Sequence, residues 1–212
     1  MAISGIPRHL VIDNFLPAAM AADLLAYTLE NEANFEPTWI MRDVEAKLDP
    51  AFRESSLCAA GLGNPKAAFK AAIHARCDEF YAAIATPPFE IAKTEVQLIA
   101  HGDKAFYRSH IDTHSGAGRT VEEHFRVVSC VYYFHREPKR FTGGEIALFA
   151  FGDSEDVALI EPAHNRLVVF PSFVRHEVRA VSCPSGEFGD SRFSINCWLR
   201  KEKRKPAARQ GA

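Results

Sequence analysis

The sequence predicts a β-rich α+β fold, an antiparallel sandwich or jelly roll supported by N-terminal helices. Three observations carry that expectation. Apolar residues recur at helical spacing only in the first part of the chain, up to Pro87-Pro88. After Glu90 the texture changes to short β-prone runs separated by Gly, Pro, Asp and Ser clusters. The last of these runs alternates apolar and polar side chains residue by residue.

Leu10-Val11-Ile12 reads as a short strand. Asp13 to Pro17 leads into a helix on which Met20, Leu24, Leu25 and Leu29 share a face, with Pro17 suited to its first turn. A second helix begins at Asn64 as N-cap and Pro65 beside it. Its stripe is Phe69, Ile73, Cys77, Phe80 and Ile84, and it ends near Pro87. The expected strands are Glu95–His101, Phe125–His135, Glu145–Phe151, Asn165–Pro171, Arg175–Val181 and Arg192–Leu199. Helices that precede the strands in this way are expected on the outer face of one sheet.

A chain of 212 residues, 47% of them hydrophobic, holds one domain with a sizeable core, here residues 1–199. Its formal charge of -2 gives no global attraction to nucleic acid or anionic membrane. The five cysteines are widely spaced, without a CxxC pair, and read as reduced thiols of a cytoplasmic protein. Neither a signal-peptide pattern nor an apolar run near the roughly 20 residues of a membrane span is present. The basic tail, residues 200–212, is expected to be disordered; any nucleic-acid contact is expected to be weak and to run through it.

The strongest chemical signal is Tyr107-Arg108-Ser109-His110-Ile111-Asp112. In an extended chain alternate residues share a side, so His110 and Asp112 project together from α-carbons about 6–7 Å apart. His176, at the head of a β-prone run, is the best third ligand. Two histidines and a carboxylate on one face of an octahedral metal leave three positions open, as in non-haem iron(II) oxygenases. An HxD pair alone is weak, since a strand His or Asp is more often a hydrogen-bonded structural residue.

The final run strengthens the reading. Phe193, Ile195, Cys197 and Leu199 fall on one side, and Arg192, Ser194, Asn196 and Trp198 on the other. If the apolar side packs on the helices, Arg192 points into the interior, where a guanidinium needs an anion and a dicarboxylate would supply one. The alternative is an edge strand with Arg192 in water.

Tyr107-x-x-His110-x-Asp112, Cys130 to Phe134, Gly143-Gly144-Glu145, Leu167 to Pro171, His176-x-Val178 and Arg192-x-Ser194-x-x-x-Trp198, in this order, resemble the prolyl 4-hydroxylase-like iron(II)/2-oxoglutarate dioxygenases, including the hypoxia-factor prolyl hydroxylases. The resemblance runs from Leu10 to about Leu199. It implies a double-stranded β-helix (cupin-like jelly roll) with Fe(II), 2-oxoglutarate and O2 as cofactor and co-substrates, and with ascorbate as reductant. His110, Asp112 and His176 correspond to the iron ligands, and Arg192 to the residue gripping the distal carboxylate of 2-oxoglutarate. Tyr133 corresponds to a second hydrogen-bonding group on that carboxylate, Trp198 to a pocket wall, and Tyr107 and Ser194 to further pocket residues. At Ala100 the chain departs from the pattern, because relatives often place a co-substrate-binding tyrosine there. The implied reaction is hydroxylation of a C–H bond, a prolyl residue of a protein or peptide first among the substrates, with release of succinate and CO2.

His114 is expected to be exposed, and His101, His124, His135 and His164 to be surface groups or neighbours of the ligands. The segment from Thr38 to Asp43 through Arg53-Glu54-Ser55 and the loop Thr113–His124 are candidates for covering the entrance, and Trp39 and Arg42 for meeting the substrate. A free amino acid or small metabolite is the alternative substrate, and a non-catalytic cupin-like metal-binding module the alternative class. Oligomeric state is open.

Overall fold

The computed structural model describes residues 5–42, 45–113, 124–152 and 154–202. Three α-helices lie within them: α1 (Ala18–Glu30), α2 (Pro65–His74) and α3 (Cys77–Ala83). The expected second helix is therefore two. At Arg76 the backbone leaves helical geometry (φ -119°, ψ 11°), and its N–H bonds to Ile73 O three residues back. The stripe survives the break, with Phe69, Ile73, Cys77, Phe80 and Ile84 all buried. Asn64 does not cap α2 with its side chain. Its own backbone is already helical (φ -59°, ψ -38°), whereas a capping residue must sit outside the helix to reach the second and third N–H groups.

A larger sheet carries, in order, β1 (Leu10–Ile12), β13 (Arg166–Pro171), β9 (His124–Phe134), β16 (Arg192–Glu202), β7 (Lys93–His101), β6 (Ser56–Cys58) and β2 (Phe35–Pro37). A smaller one carries β12 (Val157–Ile160), β11 (Ile146–Phe149), β14 (His176–Val178), β8 (Phe106–His110) and β5 (Arg53–Glu54). Two hairpin-sized pairs complete the described strands, β3 (Ile40–Arg42) with β4 (Glu45–Lys47) and β10 (Thr142–Gly143) with β15 (Val181–Ser182). The architecture is a jelly roll with supporting helices, and all the pairings are antiparallel. The expected strand Arg175–Val181 is split between β14 and β15, because its two ends pair with different partners.

The alternation along β16 decides which side faces which core. Phe193, Ile195, Cys197 and Leu199 join Leu24, Phe69, Ile73 and Phe80 in the cluster between the large sheet and the helices. Tyr133, Val168 and Phe170, on the opposite face of that sheet, join Ile146 and Leu148 of the small sheet in a second cluster. Arg192 shares this inner side and is only 1% exposed, which overturns the edge-strand alternative: β16 is flanked by β9 and β7. The strand also outruns its expected end. Arg200, Lys201 and Glu202 continue the pairing with β9, and the buried Arg200 donates to Glu95 and to His124 O. These three residues are thus sheet rather than tail, and the rest of the tail lies outside the described residues. All five cysteines are free and buried. No helix among the described residues is long and apolar enough to cross a membrane.

Candidate active site

His110 ends β8, His176 begins β14, and the two are direct partners across that pair of strands. Asp112 follows two residues after His110, its N–H anchored to Ser172 O. The alternation read from sequence thus brings the three side chains together, with all candidate ligand atoms within 4.8 Å of one another. Each imidazole is oriented by its own backbone: His110 Nδ1 lies 2.8 Å from Arg108 O, and His176 Nδ1 lies 2.9 Å from Val174 O. A carbonyl only accepts, so both rings donate from Nδ1, which leaves Nε2 turned to the centre. Those Nε2 atoms stand 3.8 and 3.7 Å from the Asp112 oxygens. Two ligands of one ion at metal–ligand distances near ~2.1 Å lie no more than ~4.2 Å apart, so each pair fits one ion.

The electrostatics match ligand chemistry. Burial, reinforced by His176, holds His110 well below the usual imidazole range, so it stays neutral. Burial opposes ionisation of Asp112, but His176, His110, Arg126 and the Ser129 hydroxyl outweigh it and keep the carboxyl ionised. Ser129 Oγ donates to Asp112 Oδ2 at 2.6 Å and lies 2.9 Å from Ser172 Oγ. Groups that orient a ligand in this way typically carry about 10- to 100-fold in metal affinity or activity. Ser129→Ala is expected to weaken Mn(II) or Fe(II) binding by about that factor; unchanged affinity in an anaerobic titration would remove Ser129 from the site.

The walls come from both sheets. Tyr107 stacks on His110 at 3.6 Å between ring centroids, and the Arg53 guanidinium sits 4.5 Å from the Tyr107 ring. Phe170 packs edge-on against His176. Trp198 is buried, with Arg126 3.7 Å over its ring.

Arg192 approaches from the large sheet. Its Nε donates to Gly144 O at 2.8 Å, and its Nη1 lies 3.1 Å from His101 Nδ1 and 3.5 Å from Ser194 Oγ. Tyr133 presents its ring 4.7 Å from the guanidinium carbon, and burial pushes its phenol up to about 12. None of Arg192's hydrogen-bond partners is a carboxylate among the described residues. Two buried polar atoms nearby, Tyr133 Oη and His101 Nε2, have no hydrogen-bond partner there either. The cradle is tight: a Cβ on Gly144 would lie 2.7 Å from Arg192 Cδ, and the backbone there has φ +73°. A buried cation beside unmatched donors suits an incoming carboxylate, so the residues fit both an iron(II) ion and a 2-oxo dicarboxylate.

His101 corrects the sequence reading twice. It is not a surface group but 2% exposed, held against Arg192, its direct partner across β7 and β16. It also explains Ala100: that residue belongs to the apolar cluster under the helices, and the next residue is the one that faces the pocket. The alternation of Leu98, Ala100 against Ile99, His101 carried this signal. Ser129 carried one too, as a lone hydroxyl among Val127, Val128, Cys130 and Val131. Arg53 had none. His135 is buried rather than superficial, with its ring 5.4 Å from His164. Trp39 is exposed, Arg42 lies in β3 with its side chain outside the described ones, and His114 with most of the loop 113–124 lies outside the described residues.

Burial, then Arg192 and Arg53, drive His101 well below the usual imidazole range. The unfolded chain takes up this proton near pH 6.5 and the folded one does not, so the stability present above that pH is lost as the pH falls. Each unit below 6.5 costs up to about 1.4 kcal/mol from this group. Metal-free protein is expected to melt lower at pH 5 than at pH 7, with a shallower dependence in His101→Asn. Parallel slopes would rule His101 out as the cause.

Residues 96–200 match the 2OG-Fe(II) oxygenase superfamily. Through this segment, which holds His110, Asp112, His176 and Arg192, the chain belongs to that superfamily. An uncharacterized PKHD-type hydroxylase of Synechocystis is 42% identical over 125 residues, covering 54% of this chain. The match spans only 39% of that relative's length. The fold is that of solved prolyl hydroxylases. A Pseudomonas putida prolyl-4-hydroxylase superposes with a TM-score of 0.66 at 23% identity, covering 93% of this chain and 94% of that one. A Trichoplax adhaerens prolyl hydroxylase, solved with a hypoxia-inducible-factor peptide fragment, gives 0.66 at 18% identity over 90% and 82%.

Proposed function

We propose that this protein is an iron(II)- and 2-oxoglutarate-dependent dioxygenase that hydroxylates a C–H bond, with a prolyl residue of a protein or peptide as the first substrate to test. One observation carries the reading: a His-Asp-His triad on and beside the small sheet is accompanied, on the inner side of the large sheet, by a buried Arg192 whose hydrogen bonds reach no carboxylate among the described residues. His110, Asp112 and His176 would hold the iron, and Arg192 with Tyr133 would receive the distal carboxylate. When bound, iron and 2-oxoglutarate supply an oxidative decarboxylation that places one atom of O2 in the hydroxylated product and the other in succinate, releasing CO2.

The chain's own contribution is positional. Arg108 and Val174 carbonyls fix the imidazoles, Ser129 fixes the carboxylate, and Phe170 and Tyr107 wall the centre. The prolyl substrate is supported by the likeness of fold to prolyl hydroxylases, one of them solved with a peptide fragment. The test is anaerobic binding of Fe(II) and 2-oxoglutarate, then succinate release on admitting air, in wild type, His176→Ala and Arg192→Ala, with and without proline-containing peptides. Succinate that needs both residues and rises with peptide supports the reading. Metal binding without 2-oxoglutarate turnover favours a binding module, and turnover stimulated by free amino acids alone redirects the substrate search.

A further inference from the structure

The geometry points to Tyr107 as a self-modification site: with no substrate over the metal, the protein turns O2 and 2-oxoglutarate on its own ring and hydroxylates it. This rests on the dioxygenase reading above. Tyr107 lies flat on His110, with 3.6 Å between ring centroids and 21° between the planes. A separation equal to the contact distance of two carbon atoms leaves little lateral offset, so the phenol ring covers the imidazole face to face.

An ion held by His110 Nε2 lies in the imidazole plane, about 3 Å from the centre of that ring. With Tyr107 stacked 3.6 Å from the same centre, its own ring centre is about 5 Å from the ion and its nearest edge about 4 Å. A gap of that size holds one oxygen atom within the near-attack spacing of about 3–3.5 Å from a ring carbon. The ring is also held from both faces. Arg53, its partner across β5 and β8, sits 4.5 Å from the face opposite His110 and donates to Ser55 Oγ at 2.8 Å, while Phe52 meets the ring edge-on at 5.7 Å.

Phe170 also packs on the triad, edge-on against His176 at 4.8 Å, but carries no hydroxyl. The phenol oxygen of Tyr107 feeds electron density to the ring carbons ortho to it, so one of these takes up the oxygen. The ring C–H becomes C–OH with one atom of O2, and the other atom enters succinate as 2-oxoglutarate loses CO2. O2 takes two electrons from the ring and two from the 2-oxo acid, and the displaced hydrogen ends on the new hydroxyl. The product is a catechol.

The test is a mass measurement on the full-length protein. Wild type is loaded with Fe(II), 2-oxoglutarate and ascorbate under nitrogen, exposed to air without any substrate, then digested and read by peptide mass spectrometry. The peptide carrying Tyr107 should gain a single oxygen atom, heavy when the O2 is isotopically heavy and light when only the water is. Omitting 2-oxoglutarate, or substituting His176→Ala, should abolish the gain. A second readout needs no turnover: Mn(II) added anaerobically should broaden the Tyr107 ring resonances at lower occupancy than those of any other tyrosine, with Tyr107→Phe identifying the signal.

Wild type that binds Fe(II) and 2-oxoglutarate yet gains no oxygen at Tyr107 in air overturns the proposal, and so does another tyrosine broadening first. Gain without 2-oxoglutarate, or gain shared with Trp39, which is 57% exposed and reports a diffusible oxidant, overturns it as well. Failure of wild type to bind 2-oxoglutarate at all would instead bring down the dioxygenase reading, and the proposal with it.

Discussion

Replacing Arg192 with methionine is expected to weaken 2-oxoglutarate binding at least about a hundredfold without lowering the melting temperature of the ligand-free protein. The two halves have one cause. Arg192 is 1% exposed, and burial drives its pKa down against the weaker pull of Tyr133 and Glu145, its hydrogen-bond partners Gly144 O, His101 Nδ1 and Ser194 Oγ all being neutral acceptors. An apolar side chain of similar length removes that desolvation penalty, and such exchanges are often neutral or stabilising by about 1–4 kcal/mol. Against this stand the lost hydrogen bonds, about 0.5–1.5 kcal/mol each for neutral acceptors and somewhat more from a charged donor. With ligand the balance reverses, since breaking a buried ion pair by removing one partner costs about 3–5 kcal/mol, a factor of roughly 100 or more in affinity. Calorimetry and thermal denaturation on one sample read both halves. A variant that melts well below wild type while still binding 2-oxoglutarate would show Arg192 to be a structural residue.

Asp112→Asn is expected to abolish tight iron binding, weakening it by about 100-fold or more, since a buried divalent cation then meets three neutral ligands. The shape is preserved, and the new amide carbonyl still accepts from Ser129, so the effect isolates charge from geometry. Asp112 is 8% exposed, and His176, His110, Arg126 and the Ser129 hydroxyl together outweigh the cost of its burial. Its carboxylate therefore stabilises the metal-free fold at neutral pH, and the Asp112→Asn variant should melt somewhat lower than wild type. Anaerobic titration with Fe(II) or Mn(II) gives the affinity. Near wild-type binding would take Asp112 out of the ligand set.

Much of this site was legible in the chain because strand geometry has a period of two. His110 and Asp112 share a side for that reason, and the same alternation put Arg192 opposite Phe193 and Ile195. Cross-strand partnership is where sequence reasoning ran out. Nothing local says that His101 lies opposite Arg192 or that Ser129 reaches Asp112, since both depend on which strands become neighbours and in what register. Ala100 shows the cost: a shift of one residue along β7 exchanges a pocket wall for a core position. The helical stripe of Phe69 to Ile84 was legible as burial but not as a broken helix, because the turn at Arg76 changes the backbone without moving the apolar side chains out of the core. The residues that choose a substrate remain the least legible, as Trp39 contacts solvent and the 113–124 loop is polar and glycine-rich, with no period to read.

The division of the site between two sheets also bears on how the folded chain breathes. The residues proposed to hold the metal stand on or beside β8 and β14 of the small sheet, while Arg192, Tyr133 and His101 stand on β16, β9 and β7 of the large one. A ligand that touches the metal at one end and Arg192 at the other is a strut across the interior. With the strut in place, separating the sheets breaks contacts at both ends at once. Amide hydrogen exchange should therefore slow together in strands far apart in sequence, whereas metal alone would quieten only β8 and β14. Occupancy of the co-substrate would then be written in the cooperativity of the whole jelly roll as well as in the chemistry at its centre.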